Sequence, residues 1–180
     1  MLKKVKVGIS GCLGRMGKEL VKQAKLLQGI EYVGGFDLKN KKKFKNEIFN
    51  KANVVIDFSS SSALSSNLEM AINNNTGMVI GTTGLGEKEL KMLKKSSKKI
   101  PILFSSNMSL GVNVLFDLVQ QTASTLKDKD YDIEIAETHH KHKKDAPSGT
   151  ALSLGEYAAL GRKTKLNKSK VLDRTKKLTS

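Results

Sequence analysis

The sequence holds a single cysteine, no tryptophan, and only three arginines and three histidines among 180 residues. With Cys12 alone, neither an internal disulfide nor a cysteine-based zinc site is available. No histidine or acid flanks Cys12, so it reads as a small space-filler rather than a reactive thiol. No apolar run approaches the ~20 residues that a membrane-spanning helix needs. The N-terminus passes directly into a strand pattern rather than a signal-peptide apolar stretch, so a cytoplasmic protein is expected. The hydrophobic share, 38%, suits a globule with a real core.

The scarcity of arginine also bears on the formal net charge of +15. Arginine forks onto phosphates and bases, and aromatic side chains stack on bases. Here arginine occurs only at 15, 162 and 174, and the positive charge is lysine scattered along the whole chain. A solvated basic surface is expected, with neither nucleic acid nor membrane as partner.

What is present is an alternation of apolar runs and helical patterns. Strands are predicted at Val5–Ile9, Tyr32–Phe36, Val54–Phe58, Met78–Gly81 and Pro101–Phe104. Helices are predicted from Met16 to about Leu27, opening in the serine run 59–66 and carrying Leu64, Leu68, Ala71 and Ile72 on one face, over Glu87–Lys98, and from about Leu110 to Leu126. In the last of these, Val114, Leu115, Leu118, Val119 and Ala123 are expected to face a core. The lysine-rich segment 39–51 reads as a loop with one helical turn around Phe44, Ile48 and Phe49. Apolar strands separated by helices indicate an α/β fold, a doubly wound parallel sheet of Rossmann-like type. At Lys127–Asp130 the character changes, and a boundary is placed near residue 128. Tyr131–Glu137 alternates as a half-covered strand would, Thr150 to about Leu160 reads as a helix, and Lys170–Asp173 as a possible strand start. Residues 1–128 would thus form a dinucleotide-binding domain, and 129–180 the start of an α+β domain, too small to be complete.

Between the first strand and helix, Gly11, Gly14 and Gly17 are spaced three apart. Glycines there permit a tight turn, close approach of a pyrophosphate to backbone N–H groups, and close helix–strand packing. Asp37 ends the second strand, where it would either accept bonds from an adenosine ribose or simply close a turn. The other strand ends, Asp57–Ser60, Gly81–Gly84 and Ser105–Met108, are small and polar, as ligand-binding ends of parallel sheets are. Arg15 and Lys39 could receive a 2′-phosphate and Asp37 favours a free 2′-hydroxyl, so NADPH and NADH both stay open.

All the histidines fall in one stretch, His139, His140, Lys141, His142, Lys143 and Lys144, ahead of Pro147–Thr150. Histidine exchanges protons near neutral pH, lysine adds fixed positive charge, and Ser148-Gly-Thr150 reads as a helix start whose N–H groups attract anions. An acidic small molecule fits this combination. A metal is the alternative for the histidines, but neighbours on a strand point to opposite faces and no carboxylate completes a cage, so no metal is expected. His142 reads as a surface residue, and Lys141 and Lys144 as solvated.

Together these motifs resemble the 4-hydroxy-tetrahydrodipicolinate (dihydrodipicolinate) reductase family of diaminopimelate–lysine biosynthesis. The resemblance rests on Gly-x-x-Gly-Arg-Met-Gly at 11–17, Gly-Thr-Thr-Gly at 81–84, Asn107–Asn113, and above all Glu-x-His-His-x-x-Lys-x-Asp-Ala-Pro-Ser-Gly-Thr-Ala at 137–151. It implies that Gly11, Cys12, Leu13, Gly14, Arg15, Met16, Asp37, Gly81, Thr82, Thr83, Ser105, Ser106, Asn107 and Met108 line a nicotinamide cofactor. It implies His139 as proton donor or acceptor, Lys143 as general acid, and His140, Gly149 and Thr150 as holders of the carboxylates of a dicarboxylate substrate. It further implies a homotetramer at full length. Family members run well past residue 180, which makes this chain a fragment of a longer protein or a shortened form. A reading from another class is a non-catalytic dinucleotide-binding module whose basic stretch docks an acidic partner.

Overall fold

The structure is a computed structural model that describes residues 3–38, 42–105, 107–126, 129–141, 143 and 146–172. Lys39, Ser106, His142, Lys144, Asp173 and the residues at 127–128 therefore lie outside the described residues. The chain divides into two compact units, 1–106 and 107–180.

The first unit contains β1 (Val5–Ser10), α1 (Arg15–Leu26), β2 (Ile30–Phe36), α2 (Lys42–Lys51), β3 (Val54–Asp57), α3 (Ser61–Asn73), β4 (Gly77–Ile80), α4 (Glu87–Ser96) and β5 (Ile102–Phe104). Its sheet has five strands in the order β2-β1-β3-β4-β5, every pairing parallel. Alternate residues of the strands feed two cores. Val7 and Ile9 of β1 pack with Ala24, Leu20 and Val21 of α1, and Val54 and Ile56 join them. Val55, Met78 and Ile80 pack instead with Phe49 of α2, Leu64, Leu68 and Ala71 of α3, and Leu93 of α4. This is the doubly wound arrangement expected. The order reverses between β1 and β3, and open parallel sheets bind their ligands at the carboxyl ends of the strands beside such a switch point.

The expected loop over 39–51 is a correction: α2 is a helix of 10 residues. Its charge disguises it. Ile48 and Phe49 are buried at 7% and 0% exposure, and burial stabilises by about 1.5–3 kcal/mol for each such side chain. Lysine in a helix costs only tenths of a kcal/mol relative to alanine, and Lys51 pairs with Glu47 one turn back. The apolar face decides.

The second unit contains α5 (Leu110–Thr125), α6 (Gly149–Gly161) and α7 (Leu166–Ser169). The helices α5 and α6 pack together, with Phe116 stacked on Tyr157 at 5.0 Å between ring centroids. They approach so closely that a Cβ on Gly161 would lie 2.3 Å from the Gln120 carbonyl oxygen. Three expectations are corrected here. Phe116 and Ala123 form the buried side of α5, whereas Val114, Leu115 and Leu118 are exposed. The contact with α6 selects the side carrying Phe116, Gln120 and Ala123, one and two turns apart. Residues 131–137, expected as a strand, run without strand pairing among the described residues, and Ile133 and Ile135 are exposed. Alternation prepares a segment for a sheet, but only a neighbouring strand makes it one. Val171 and Leu172 likewise belong to no strand.

Candidate active site

At the end of β1 the chain turns sharply. Gly11 adopts φ +78°, and a Cβ there would lie 2.7 Å from the Phe58 carbonyl oxygen. Only glycine lets the β1 turn and the β3 loop approach this closely. The N–H groups of Gly11 and Cys12 donate to the Phe36 carbonyl at 2.8 and 3.3 Å, and that of Gly14 donates to Gly11 at 3.0 Å. Leu13 N–H donates to Asp37 Oδ2 at 3.3 Å, so the carboxylate at the end of β2 also braces the turn.

The three motif glycines have different jobs. A Cβ on Gly17 would stand 2.0 Å from the Gly11 carbonyl oxygen, so Gly17 allows α1 to close on the turn. A Cβ on Gly14 would meet only that same oxygen, at 3.3 Å, and otherwise points into open space. Gly14 is also the N-cap of α1, with no side chain to satisfy the first-turn N–H groups. An anion can take that place. Leu13, Gly14, Arg15 and Met16 are all exposed around it. The Cys12 thiol lies in the core, where burial first and the Asp37 charge second push its pKa up. These features fit the diphosphate of a dinucleotide.

The neighbouring strand end is held by a network that the sequence reading missed. Asp57 is fully buried, accepts from Ser59 N–H at 3.0 Å and from Asn67 Nδ2 at 2.8 Å, and stands in register with Ser10. Asn67 Nδ2 also donates to Ser10 Oγ at 3.1 Å. The β4 end follows: Gly81 N–H and Thr82 Oγ1 both donate to the Asp57 carbonyl, at 3.0 and 3.3 Å. A Cβ on Gly81 would strike the Phe58 ring, so this glycine makes room for an aromatic side chain. Thr82 is buried, Thr83 is exposed, and Ser105 N–H donates to the Ile80 carbonyl at the β5 end. An open cleft of about 540 Å³, lined by Lys3, Lys6, Glu31, Lys51 and Asn53, lies at the opposite, amino edge of the sheet and carries neither glycine turn nor histidine.

In the second unit, Asn107 Oδ1 accepts from Ser109 N–H at 2.8 Å and Ser109 caps α5, leaving Met108 exposed. The segment carrying His139 and His140 has no regular secondary structure, and Lys143 N–H donates to the His140 carbonyl at 3.1 Å. His139 Nε2 lies 2.8 Å from Glu137 Oε2. Glu137 Oε1 accepts from Ser148 N–H at 2.8 Å, and Oε2 accepts from Ser148 Oγ. Ser148, buried, caps α6 by accepting from Ala151 N–H at 3.1 Å. Hydrogen bonds from the Ser148 hydroxyl, from His139 and from the Ser148 backbone hold the Glu137 pKa down at about 2. Gly149 faces open space beside this cap, and Thr150 is half-buried. Among the described residues no group of three or more His, Cys, Asp and Glu side chains could hold a metal ion.

Glu137 stands at the head of the 137–151 motif, where the sequence alone assigns it no role. The sequence signal for it is the i, i+2 spacing to His139, which would put both side chains on one side of an extended segment.

A family model described as dihydrodipicolinate reductase, N-terminus, matches residues 5–108, and its companion, dihydrodipicolinate reductase, C-terminus, matches residues 111–178. The chain belongs to the dihydrodipicolinate reductase family. A 4-hydroxy-tetrahydrodipicolinate reductase of Zymomonas mobilis is 45% identical over 166 residues, which cover 90% of this chain and 65% of that protein. One from Sulfurimonas denitrificans is 45% identical over 181 residues, covering 94% of this chain and 70% of that protein. The chain thus spans about two thirds of the length of the curated relatives it matches, 65% and 70% in these cases. Dipicolinate-bound dihydrodipicolinate reductase from Paenisporosarcina sp. TG-14 shares the fold, with a TM-score of 0.68 at 23% identity, over 98% of this chain and 72% of that one. In this reductase family the first unit binds a dinucleotide, NADPH or NADH. Among the described residues no helix is long and apolar enough to cross a membrane.

Proposed function

We propose that this chain carries the cofactor-binding and proton-donating parts of a reductase that converts 4-hydroxy-tetrahydrodipicolinate to tetrahydrodipicolinate with NADPH or NADH. The observation that carries the reading is the joining of His139, Glu137 and Ser148 at the start of α6, inside a chain that the family's two models match in turn.

The nicotinamide, when bound, supplies a hydride. The Gly11–Met16 turn receives the diphosphate at the open N-terminus of α1, and Asp37 faces the adenosine ribose. Gly81, Thr82, Thr83, Ser105, Ser106, Asn107 and Met108 form the rest of the cofactor contact. His139 delivers or takes a proton, and Lys143 acts as general acid near the ring. His140, Gly149 and Thr150 hold the carboxylates of a small dicarboxylate, where open space over Gly149 and the N-terminal dipole of α6 favour an anion. Residues 1–128 form the cofactor half, and 129–180 the part that carries the chemistry. At full length, a cytoplasmic homotetramer completes the proposal.

The test is direct turnover. The chain, at this length and within the longest open reading frame containing it, is supplied with NADPH or NADH and freshly generated substrate. Oxidation of the cofactor only when substrate is present is expected. Cofactor binding without any substrate-dependent oxidation in either form would overturn the reading in favour of a non-catalytic dinucleotide-binding module.

A further inference from the structure

Glu137 is bonded on both oxygens, and each bond constrains a different part of the site. Ser148 gives it both a backbone N–H and a hydroxyl hydrogen. That leaves the serine oxygen lone pairs to accept from Ala151 N–H at the α6 start. The third bond, to His139 Nε2 at 2.8 Å, is the informative one. An ionised carboxylate can only accept, and three donors to Glu137 favour its ionised form. The hydrogen of the His139–Glu137 bond therefore belongs to the imidazole, on Nε2.

We propose that Glu137 is a positioning residue that holds His139 as the Nε2–H tautomer, so that Nδ1 is the nitrogen turned to the reacting molecule. The inference rests on the proposed catalytic role of His139 and adds which of its two nitrogens does the work. In the step itself, a proton on Nδ1 of the imidazolium passes to the substrate as hydride arrives, leaving neutral imidazole with its remaining hydrogen on Nε2. Glu137 keeps its charge throughout and gives up no proton. Because the same carboxylate binds the α6 cap, the proton donor and the substrate's anion site are referenced to one group. A carboxylate that orients a histidine in this way fixes both tautomer and ring direction.

The chain contains only three histidines, so imidazole nitrogen resonances are few enough to assign with single His→Gln variants. Long-range proton–nitrogen spectra of the 15N-labelled, unmodified protein above the imidazole pKa should show His139 as Nε2–H. In Glu137→Gln, which keeps the shape and removes the charge, His139 should shift toward a mixture of tautomers. Turnover should fall on the order of ten- to a hundred-fold, with the cofactor Kd unchanged. An Nδ1–H tautomer in the unmodified protein overturns the proposal without any variant, so misfolding of Glu137→Gln cannot shelter it. An unchanged tautomer and turnover in a folded Glu137→Gln overturns it as well. Failure of the underlying reading looks different: His139→Gln would then leave turnover intact, while the spectra would still report on the Glu137–His139 bond.

Discussion

Asn67 donates its side-chain amide to Asp57 Oδ2 at 2.8 Å, and both residues are buried to 1% exposure or less. Through its second bond, to Ser10 Oγ, the same amide ties β3 to β1 at the switch point where the sheet order reverses. Removing it would leave a buried carboxylate oxygen without that partner. Asn67→Leu, close in size, is therefore expected to lower stability by about 1–3 kcal/mol. Asn67→Asp should be worse, since it sets a second carboxylate against Asp57 in a buried site. Urea denaturation followed by circular dichroism measures both. A loss within about 0.5 kcal/mol, the range of an ordinary surface substitution, would contradict the account.

The motif glycines should separate into structural and ligand-facing ones. Gly17→Ala would put a methyl group 2.0 Å from the Gly11 carbonyl oxygen, a backbone atom that cannot step aside without opening the turn. Gly14→Ala would meet that oxygen only at 3.3 Å, a distance a small shift relieves. Gly17→Ala should thus lower the melting temperature and the affinity for NADPH together. Gly14→Ala should fold normally and weaken NADPH about tenfold, a change worth ~1.4 kcal/mol. Calorimetric melting and titration distinguish them; equal behaviour of the two variants would refute the division of labour.

Much of this was legible before the fold was known, and the exceptions share a cause. The β1 turn could be read because its signal is local: three glycines at fixed spacing between a strand and a helix. The serine-rich start of α3 could be read because Leu64, Leu68 and Ala71 follow at helical spacing, and all three are buried. The helix α2 was hidden because lysine content outweighed Ile48 and Phe49, whose burial depends on distant parts of the chain. For α5 the apolar stripe was wider than the contact, and the partner α6 chose the Phe116 side. Glu137 escaped because its meaning depends on Ser148, eleven positions later. Pairing, packing partners and long-range hydrogen bonds are not local properties, and each miss is one of these.

The pH dependence of the second unit should carry the mark of Glu137. Its pKa falls from 4.5 to about 2 on folding. A depressed folded value means that the carboxylate contributes stability that is fully present above about 4.5 and is lost as pH falls toward 2. Glu137→Gln should therefore be less stable than the parent at neutral pH, and the gap should close progressively between these two values. Other carboxylates titrate in both proteins and cancel in the difference. Thermal melts of the pair across this range provide the check, and a gap that stays constant with pH would show that the bonds to Ser148 and His139 do not depend on the charge.

The proposed chemistry predicts a particular split in kinetic constants. His139 and Lys143 lie in the second unit, whereas the turn that receives the diphosphate is built entirely within the first. Substitutions at 139 and 143 should therefore leave dinucleotide binding alone. His139→Gln removes a proton donor or acceptor and Lys143→Ala an acid; proton transfer by a positioned side chain typically contributes about 10²- to 10⁴-fold. Each variant is expected to lower kcat by a factor in that range while the NADPH Kd stays within about twofold, less than half a kcal/mol. Gly14→Ala should show the reverse pattern, a weakened Kd with turnover at saturating cofactor largely kept. Stopped-flow turnover and equilibrium titration of the same samples read both constants. Parallel loss of kcat and cofactor affinity in His139→Gln and Lys143→Ala would mean that these side chains support the fold or the cofactor, and would remove the proton-transfer assignment.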